Sequence, residues 1–111
     1  YTTAVRRMSR IAGVRGALVV DLEAGVPVVA ELSEGVNGMA VAALTASLFR
    51  RSAQAADAAD FGALGTLQLE ADDGHVVAVD AGEVVLVVVA GREAQLGLVR
   101  LEANRAARAL T

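Results

Sequence analysis

The sequence contains no cysteine, no lysine and no tryptophan, and it has only one histidine and one proline. Without cysteine, disulfides, thiolate nucleophiles and cysteine zinc sites are all excluded. The single histidine, His75, excludes a metal cluster built on several histidines. No apolar run approaches the roughly 20 residues that span a bilayer, and no secretion signal opens the chain. We therefore expect a cytoplasmic protein with no membrane span.

Aromatic residues are also scarce, at 3% of the chain, although 55% of its residues are hydrophobic. A disordered chain is excluded by this composition, and the length predicts one domain over residues 1–111. The core must be built from Val, Leu and Ala, with Met39, Phe49 and Phe61 as the few larger fillers. Ten basic residues, all arginine, face thirteen acidic ones, for a net charge of −3. This balance gives no general electrostatic reason to bind nucleic acid.

Hydrophobic periodicity and turn signals divide the chain into three helices and five strands. The predicted helices cover residues 2–12, 38–60 and 93–110, and the predicted strands cover 17–21, 26–32, 64–71, 75–81 and 84–90. The order α-β-β-α-β-β-β-α, in which hairpins dominate, predicts an antiparallel sheet. Asn37 is the expected N-cap of the long central helix.

The patterns within the strands also predict their order in the sheet. The first and fifth strands are apolar on both faces, which is typical of central strands covered on both sides. Pro27 places the second strand at an edge, because proline cannot donate to a ladder. The third strand alternates between polar and apolar residues and forms the other edge. We therefore predict an α/β (α+β) fold with a five-stranded antiparallel sheet ordered 2-1-5-4-3 and helices on both faces.

Two short segments and the order of the elements carry a resemblance to a known family. Residues 13–21 read Gly-Val-Arg-Gly-Ala-Leu-Val-Val-Asp, and residues 25–28 read Gly-Val-Pro-Val. Together with the Ala-rich central helix, the three-strand meander and the closing helix, they resemble the Roadblock / dynein light chain family, including its MglB-like members. The resemblance covers nearly the whole chain. It implies a homodimer or heterodimer and a role beside small GTPases, and it does not imply catalysis.

The central helix carries two apolar stripes on roughly opposite sides. One stripe contains Val41, Leu44, Leu48, Ala55 and Ala59, and we expect it to cover the sheet. The other contains Met39, Ala42, Ala46, Phe49 and Ala53, and we expect it to form a dimer interface, because exposed apolar patches usually mark interfaces. The alternative is that these alanines are merely good surface helix formers.

The third strand is the second part of the expected dimer interface. It has no proline and no lysine to protect an open edge. Pairing with its symmetry mate would make one continuous sheet of ten strands and bring the two central helices side by side. The expected interface residues on this strand are Thr66, Leu67, Gln68, Leu69 and Glu70. A monomer whose edge is covered by its own termini is the alternative.

Several other features have an ordinary structural reading. The loop 35–38 has no lysine and so is not a Walker A loop, and capping explains it better than anion binding. His75 is expected to be a plain turn or surface residue. The carboxylates Asp72, Asp73 and Asp80 are too few for a calcium site. We therefore predict no catalytic residue, no cofactor site and no metal site.

Arginines on the two terminal helices form a further candidate. They are Arg6, Arg7, Arg10, Arg105 and Arg108. A solvated helix face explains them, and binding of an acidic partner or phosphate is the alternative.

These observations and the resemblance lead to one main hypothesis of function. The chain is expected to be a non-catalytic homodimeric regulator or scaffold that binds a Ras-like small GTPase and modulates its GTP hydrolysis. Arg50, Arg51 and Gln54 flank the apolar stripes and are candidate GTPase contacts. The alternative is a pure assembly adaptor that never touches a GTPase. A third reading, an enzyme or small-ligand sensor, lacks a convergent acid, base and nucleophile.

Overall fold

A computed structural model describes residues 1–111. Its helices are α1 (Thr2–Ser9), α2 (Gly38–Ala58) and α3 (Leu96–Arg108), and its strands are β1 (Val14–Asp21), β2 (Pro27–Leu32), β3 (Thr66–Ala71), β4 (Gly74–Ala81) and β5 (Val84–Gly91). All eight elements appear in the predicted order. The helices are shorter than predicted, and β1 begins three residues earlier, at Val14.

After α1 the chain makes a close tertiary approach at Gly13. This residue has φ +86, and a Cβ there would lie 2.7 Å from the Cα of Ala94. The chain must therefore leave the helix before this close approach, which only glycine tolerates. α1 itself already ends at Ser9, three residues before the predicted end.

The five strands form one antiparallel sheet in the order β2-β1-β5-β4-β3, which confirms the predicted order. The central strands β1 and β5 are buried on both faces, as their unbroken apolar runs indicated. Pro27 lies on the edge strand β2, beside a register shift between Val19 and Val20. The edge at β2 is therefore irregular, whereas β3 is a regular ladder along its whole length.

Helices cover the two faces of the sheet unequally. On one face, α1 and α3 enclose a core of 17 buried residues, including Met8, Leu86 and Val99. On the other face, α2 alone covers a core of 8 buried residues, including Leu18, Phe49 and Val87. None of the three helices has both the length and the apolar content that crossing a membrane requires.

The prediction that Met39, Phe49 and Phe61 fill the core is wrong for two of these three residues. Phe49 is buried, but Met39 and Phe61 are 62% and 84% exposed. Their place is taken by Met8, which is fully buried between α1 and the sheet. The core is otherwise made of Val, Leu and Ala, as the composition predicted.

Candidate interaction surface

The position of α2 is set at its N-terminus. The backbone N–H of Ala40 donates to the Asn37 side-chain oxygen at 3.1 Å, which confirms the predicted N-cap. The next residue, Gly38, lies so close to β2 that a Cβ there would be 2.5 Å from Leu32 Cδ1. A glycine after the cap therefore lets the first turn of α2 rest directly on the sheet.

The two faces of α2 are the reverse of the expected ones. Ala42, Ala46 and Phe49, which we expected at a dimer interface, are at most 3% exposed and pack in the core beneath α2. Small alanines there let the helix approach the sheet closely, and Phe49 fills the space beside them. Of the expected interface stripe, only Met39 is well exposed, and Ala53 is half-buried.

The stripe expected to cover the sheet is instead largely exposed. Leu44 is 71% exposed and Leu48 is 36% exposed. The flank of α2 around Ala43 faces the β1–β2 turn, because a Cβ on Gly25 would lie 3.5 Å from Ala43 Cα. Leu48 lies about 140° around the helix from Ala43, at 3.6 residues per turn. Leu48 therefore points away from that turn, toward the β4–β3 side of the sheet, and Leu44 lies beside it on the outer side of α2.

That side of the sheet is also incompletely covered, because α2 packs mainly over β1, β2 and β5. Beside it, Leu67, Val76 and Val89 are only partly buried, and Leu69 is 40% exposed. We call this set of apolar residues the open surface: Leu44, Leu48, Leu67, Leu69, Val76 and Val89. It lies on a single side of the sheet and ends at the free edge of β3.

The β3 edge holds the other residues of the expected interface. β3 pairs only with β4, so its second side has no strand partner. Leu67 and Leu69 lie on the α2 side, because they are paired with Ala78 and Val76. Thr66, Gln68 and Glu70 alternate with them and lie on the side of α1 and α3. The predicted alternation of this strand is confirmed.

The three candidate GTPase contacts differ in their freedom. The guanidinium of Arg50 donates a short hydrogen bond to the carbonyl of Leu22 in the β1–β2 turn. Arg51 and Gln54 are exposed on the outer side of α2, and neither makes a hydrogen bond or ion pair with another side chain of the chain. Arg50 is therefore a tether between α2 and the turn, and the other two are free.

The single histidine is placed differently from the expectation. Its side chain is 15% exposed, and its Nδ1 lies 4.0 Å from Glu70 Oε2 without a hydrogen-bond partner. His75 is thus a largely buried residue of β4 and not a plain surface residue. In the sheet it lies between Glu70 of the edge strand β3 and the core residue Ala90 of β5, with which it is paired on either side.

The acidic residues are not brought together. Asp72 and Asp73 lie in the turn before β4, and Asp80 lies near the far end of that strand, where its carboxylate accepts from the N–H of Gly82. Along an extended strand this separation is on the order of 20 Å. Asp72 and Asp73 therefore belong to one turn and Asp80 belongs to another, so the three carboxylates do not form one site.

Comparisons with known proteins identify the family and the fold of the chain. The Roadblock/LC7 domain model matches residues 2–90. The uncharacterized proteins MJ0310 and MJ0714 of Methanocaldococcus jannaschii are each 30% identical to the chain over 100 residues, or 90% of it, and 87% and 84% of their own lengths are covered.

Solved structures show the same fold. A Roadblock/LC7 domain from Streptomyces avermitilis superposes with a TM-score of 0.88 at 19% identity, covering 99% of this chain and 93% of that one. MglB of Myxococcus xanthus superposes with a TM-score of 0.88 at 23% identity, covering 98% and 83%. With the family model, the relatives and the fold in agreement, the chain belongs to the Roadblock/LC7 domain family.

Proposed function

We propose that this chain is a homodimer that forms through the open surface and the free edge of β3. The observation that carries the proposal is that the free edge of β3 and the exposed leucines lie next to each other. A regular edge strand without proline or lysine is available for pairing, and exposed leucines lie on the same side of the sheet. One two-fold contact would satisfy both, and isologous dimers are the commonest oligomers.

In this dimer, β3 pairs with its symmetry mate and the two α2 helices lie next to each other. The contact brings Leu44, Leu48 and Leu69 out of water. These side chains are 71%, 36% and 40% exposed in the monomer, so burying what remains contributes roughly 0.5–2 kcal/mol each. The two-fold axis doubles this contribution, and together with the new strand ladder it opposes the entropic cost of association.

We further propose that the paired α2 helices bind a Ras-like small GTPase in the cytoplasm and that the protein regulates or positions it without being an enzyme. The support is that the chain belongs to the Roadblock/LC7 family, and resemblance to this family implies a role beside small GTPases. Arg51 and Gln54 are exposed on the outer side of α2, next to the leucines. They supply the polar rim that protein interfaces usually have.

The dimer is tested with charges on the open surface. Leu44→Asp/Leu48→Asp should give a folded monomer, because both side chains are exposed in the monomer and lose only the proposed contact. The matched control is Leu98→Asp/Leu101→Asp on α3, where the leucines are 42% and 49% exposed. Light scattering should show a dimer for the wild type and the control. A folded Leu44→Asp/Leu48→Asp variant that stays dimeric contradicts the proposed interface.

GTPase binding is tested by calorimetry with the Ras-like GTPases of the same organism, each loaded with GDP or with a non-hydrolysable GTP analogue. Arg51→Ala/Gln54→Ala should weaken binding and leave the dimer intact, which separates the two contacts. A dimer that binds no such GTPase in either nucleotide state would favour the alternative function, an assembly adaptor.

A further inference from the structure

Charge is distributed very unevenly over the molecule. The helices α1 and α3, with Arg10 at the end of α1, carry six arginines against one carboxylate, a net charge of +5. The remainder of the chain carries twelve carboxylates against four arginines, a net charge of −8. A chain with a net charge of only −3 therefore has one strongly basic layer. We call it the α1–α3 layer.

Most of the positive charge in this layer is not neutralised within the chain. The single carboxylate, Glu102, joins the two helices by accepting from Arg7 at 2.8 Å and from Arg105 at 3.2 Å. The other four arginines, Arg6, Arg10, Arg100 and Arg108, form no ion pair. A surface of this kind attracts anions over a distance of about one Debye length.

The same layer also exposes apolar side chains. Leu98 and Leu101 are 42% and 49% exposed on the outer side of α3. Arg105 and Arg108 follow them at helical spacing along the same outer side. Apolar side chains beside arginines on one outer face are the combination found in helices that lie in the boundary between lipid headgroups and acyl chains.

We propose that the α1–α3 layer binds face-on to an anionic lipid bilayer, with the free arginines on lipid phosphates and Leu98 and Leu101 against the acyl boundary. The layout favours a flat partner over an acidic polypeptide. The arginines are spread over the outer sides of two helices, and the Arg7–Glu102–Arg105 bridge occupies the seam between those helices. A basic cavity lined by Thr3, Arg6, Arg7 and Arg10 lies on the outside of α1 but includes no residue of α3, so no continuous charged groove runs across both helices to hold a single segment. The acidic remainder of the chain would be repelled and would face away from the lipid.

The proposed dimer would strengthen this binding, a point that depends on the proposed function. Antiparallel pairing of β3 with its symmetry mate requires a two-fold axis perpendicular to the sheet. Both α1–α3 layers then lie on one face and both α2 helices on the other. The dimer would bind lipid through two layers at once, which raises avidity without any new contact. The paired α2 helices would stay open to a protein partner.

The experiment is co-sedimentation of the chain with phosphatidylglycerol-rich vesicles at low ionic strength. The wild type should bind them, should bind phosphatidylcholine vesicles little, and should be released by salt. Each arginine near an anionic surface contributes about fivefold in partitioning, so Arg6→Ala/Arg10→Ala should weaken binding about 25-fold. The matched control is Arg51→Ala, compared with Arg6→Ala alone: it removes one arginine from α2 on the opposite face and keeps the contact of Arg50 with the β1–β2 turn. It should change vesicle binding no more than about twofold.

Further measurements separate this proposal from its alternatives. Leu101→Ser should weaken vesicle binding without changing its dependence on salt, because it removes an apolar contact only. Binding to poly-glutamate without binding to anionic vesicles would overturn the lipid assignment and point to an acidic polypeptide. Equal loss in Arg6→Ala and in the α2 control would also overturn it. Dimerisation is measured separately by light scattering, so that loss of the dimer and loss of lipid binding are distinguishable.

Discussion

The apolar surfaces on the two faces of the sheet are covered to different extents. On the α1–α3 side, two helices from the ends of the chain cover the sheet and enclose 17 buried residues. On the α2 side, a single helix of 21 residues covers 8 buried residues and leaves the β4–β3 half partly bare. The unequal cover supports the proposal that the α2 side of the sheet takes a partner, whereas the α1–α3 side is already covered within the chain.

The comparison also separates the two kinds of surface that the chain presents. The well-covered face is basic on its outside, whereas the half-covered face is apolar. Apolar contacts favour lasting association, while contacts through exposed charges weaken as salt rises. We therefore expect the apolar α2 side to determine the oligomeric state and the basic α1–α3 side to determine where the oligomer binds.

The largest expected effect concerns the only two phenylalanines. Phe49 is 3% exposed beneath α2, and Phe61 is 84% exposed after it. Phe49→Ala should lower the free energy of unfolding by about 3–5 kcal/mol, because it leaves a cavity in the smaller core. Phe61→Ala should change it by no more than about 0.5 kcal/mol. Urea denaturation of both variants at low protein concentration measures the difference. Similar losses would mean that α2 is docked differently.

The only two methionines provide the same comparison across the sheet. Met8 is fully buried in the core of the α1–α3 side, and Met39 is 62% exposed on α2. Met8→Ala should cost about 2–5 kcal/mol, and Met39→Ala about 0.5 kcal/mol or less. Thermal unfolding followed by circular dichroism tests this. A costly Met39→Ala with a harmless Met8→Ala would contradict the burial assigned to these two side chains on the two sides of the sheet.

Much of the fold was predictable because its signals are local and unambiguous. The apolar runs of β1 and β5, Pro27 in β2 and the alternation of β3 each have one physical reading, and together they determine the strand order. Asn37 was predictable for the same reason. The ends of α1 and α3 were not, because they depend on tertiary contacts such as the one between Gly13 and Ala94.

The face of α2 could not be assigned from sequence, since this alanine-rich helix is apolar on nearly every side. Hydrophobicity alone favoured burial of Leu44 and Leu48. The structure buries Ala42 and Ala46 instead, because close approach to the sheet at Gly25 and Gly38 rewards small side chains. Nearby glycines in the segments before and after β2 were the available signal.

Proline substitution in β3 distinguishes the side of this strand that pairs with β4 from the side that has no strand partner in the monomer. Backbone N–H groups alternate along an edge strand, so Leu67 and Gln68 donate in opposite directions. Of Leu67→Pro and Gln68→Pro, one removes a donor to β4 and should lower the stability of the fold. The other removes an outward donor and should leave a folded monomer. Sedimentation together with urea denaturation assigns each effect. Two folded variants that both remain dimeric would exclude pairing through β3.

The smallest expected effect tests how independently α2 is held. Its first turn contains no acidic residue, so the side chain of Asn37 is the main stabilising group at that helix end. Asn37→Ala should therefore cost about 1 kcal/mol. The matched control is Gln95→Ala, because Gln95 is the N-cap of α3 but makes no side-chain hydrogen bond there. It should cost almost nothing.

The location of that loss is more informative than its size. Because α2 is the only helix on its face, weakening its cap should raise hydrogen exchange in α2 and leave α1 and α3 protected. The two terminal helices support each other through the Arg7–Glu102 ion pair and a shared core. Hydrogen exchange resolved by fragment measures this directly. A uniform rise in hydrogen exchange over all three helices would show that the two faces unfold as one unit. The half-covered face would then be as stable as the covered one.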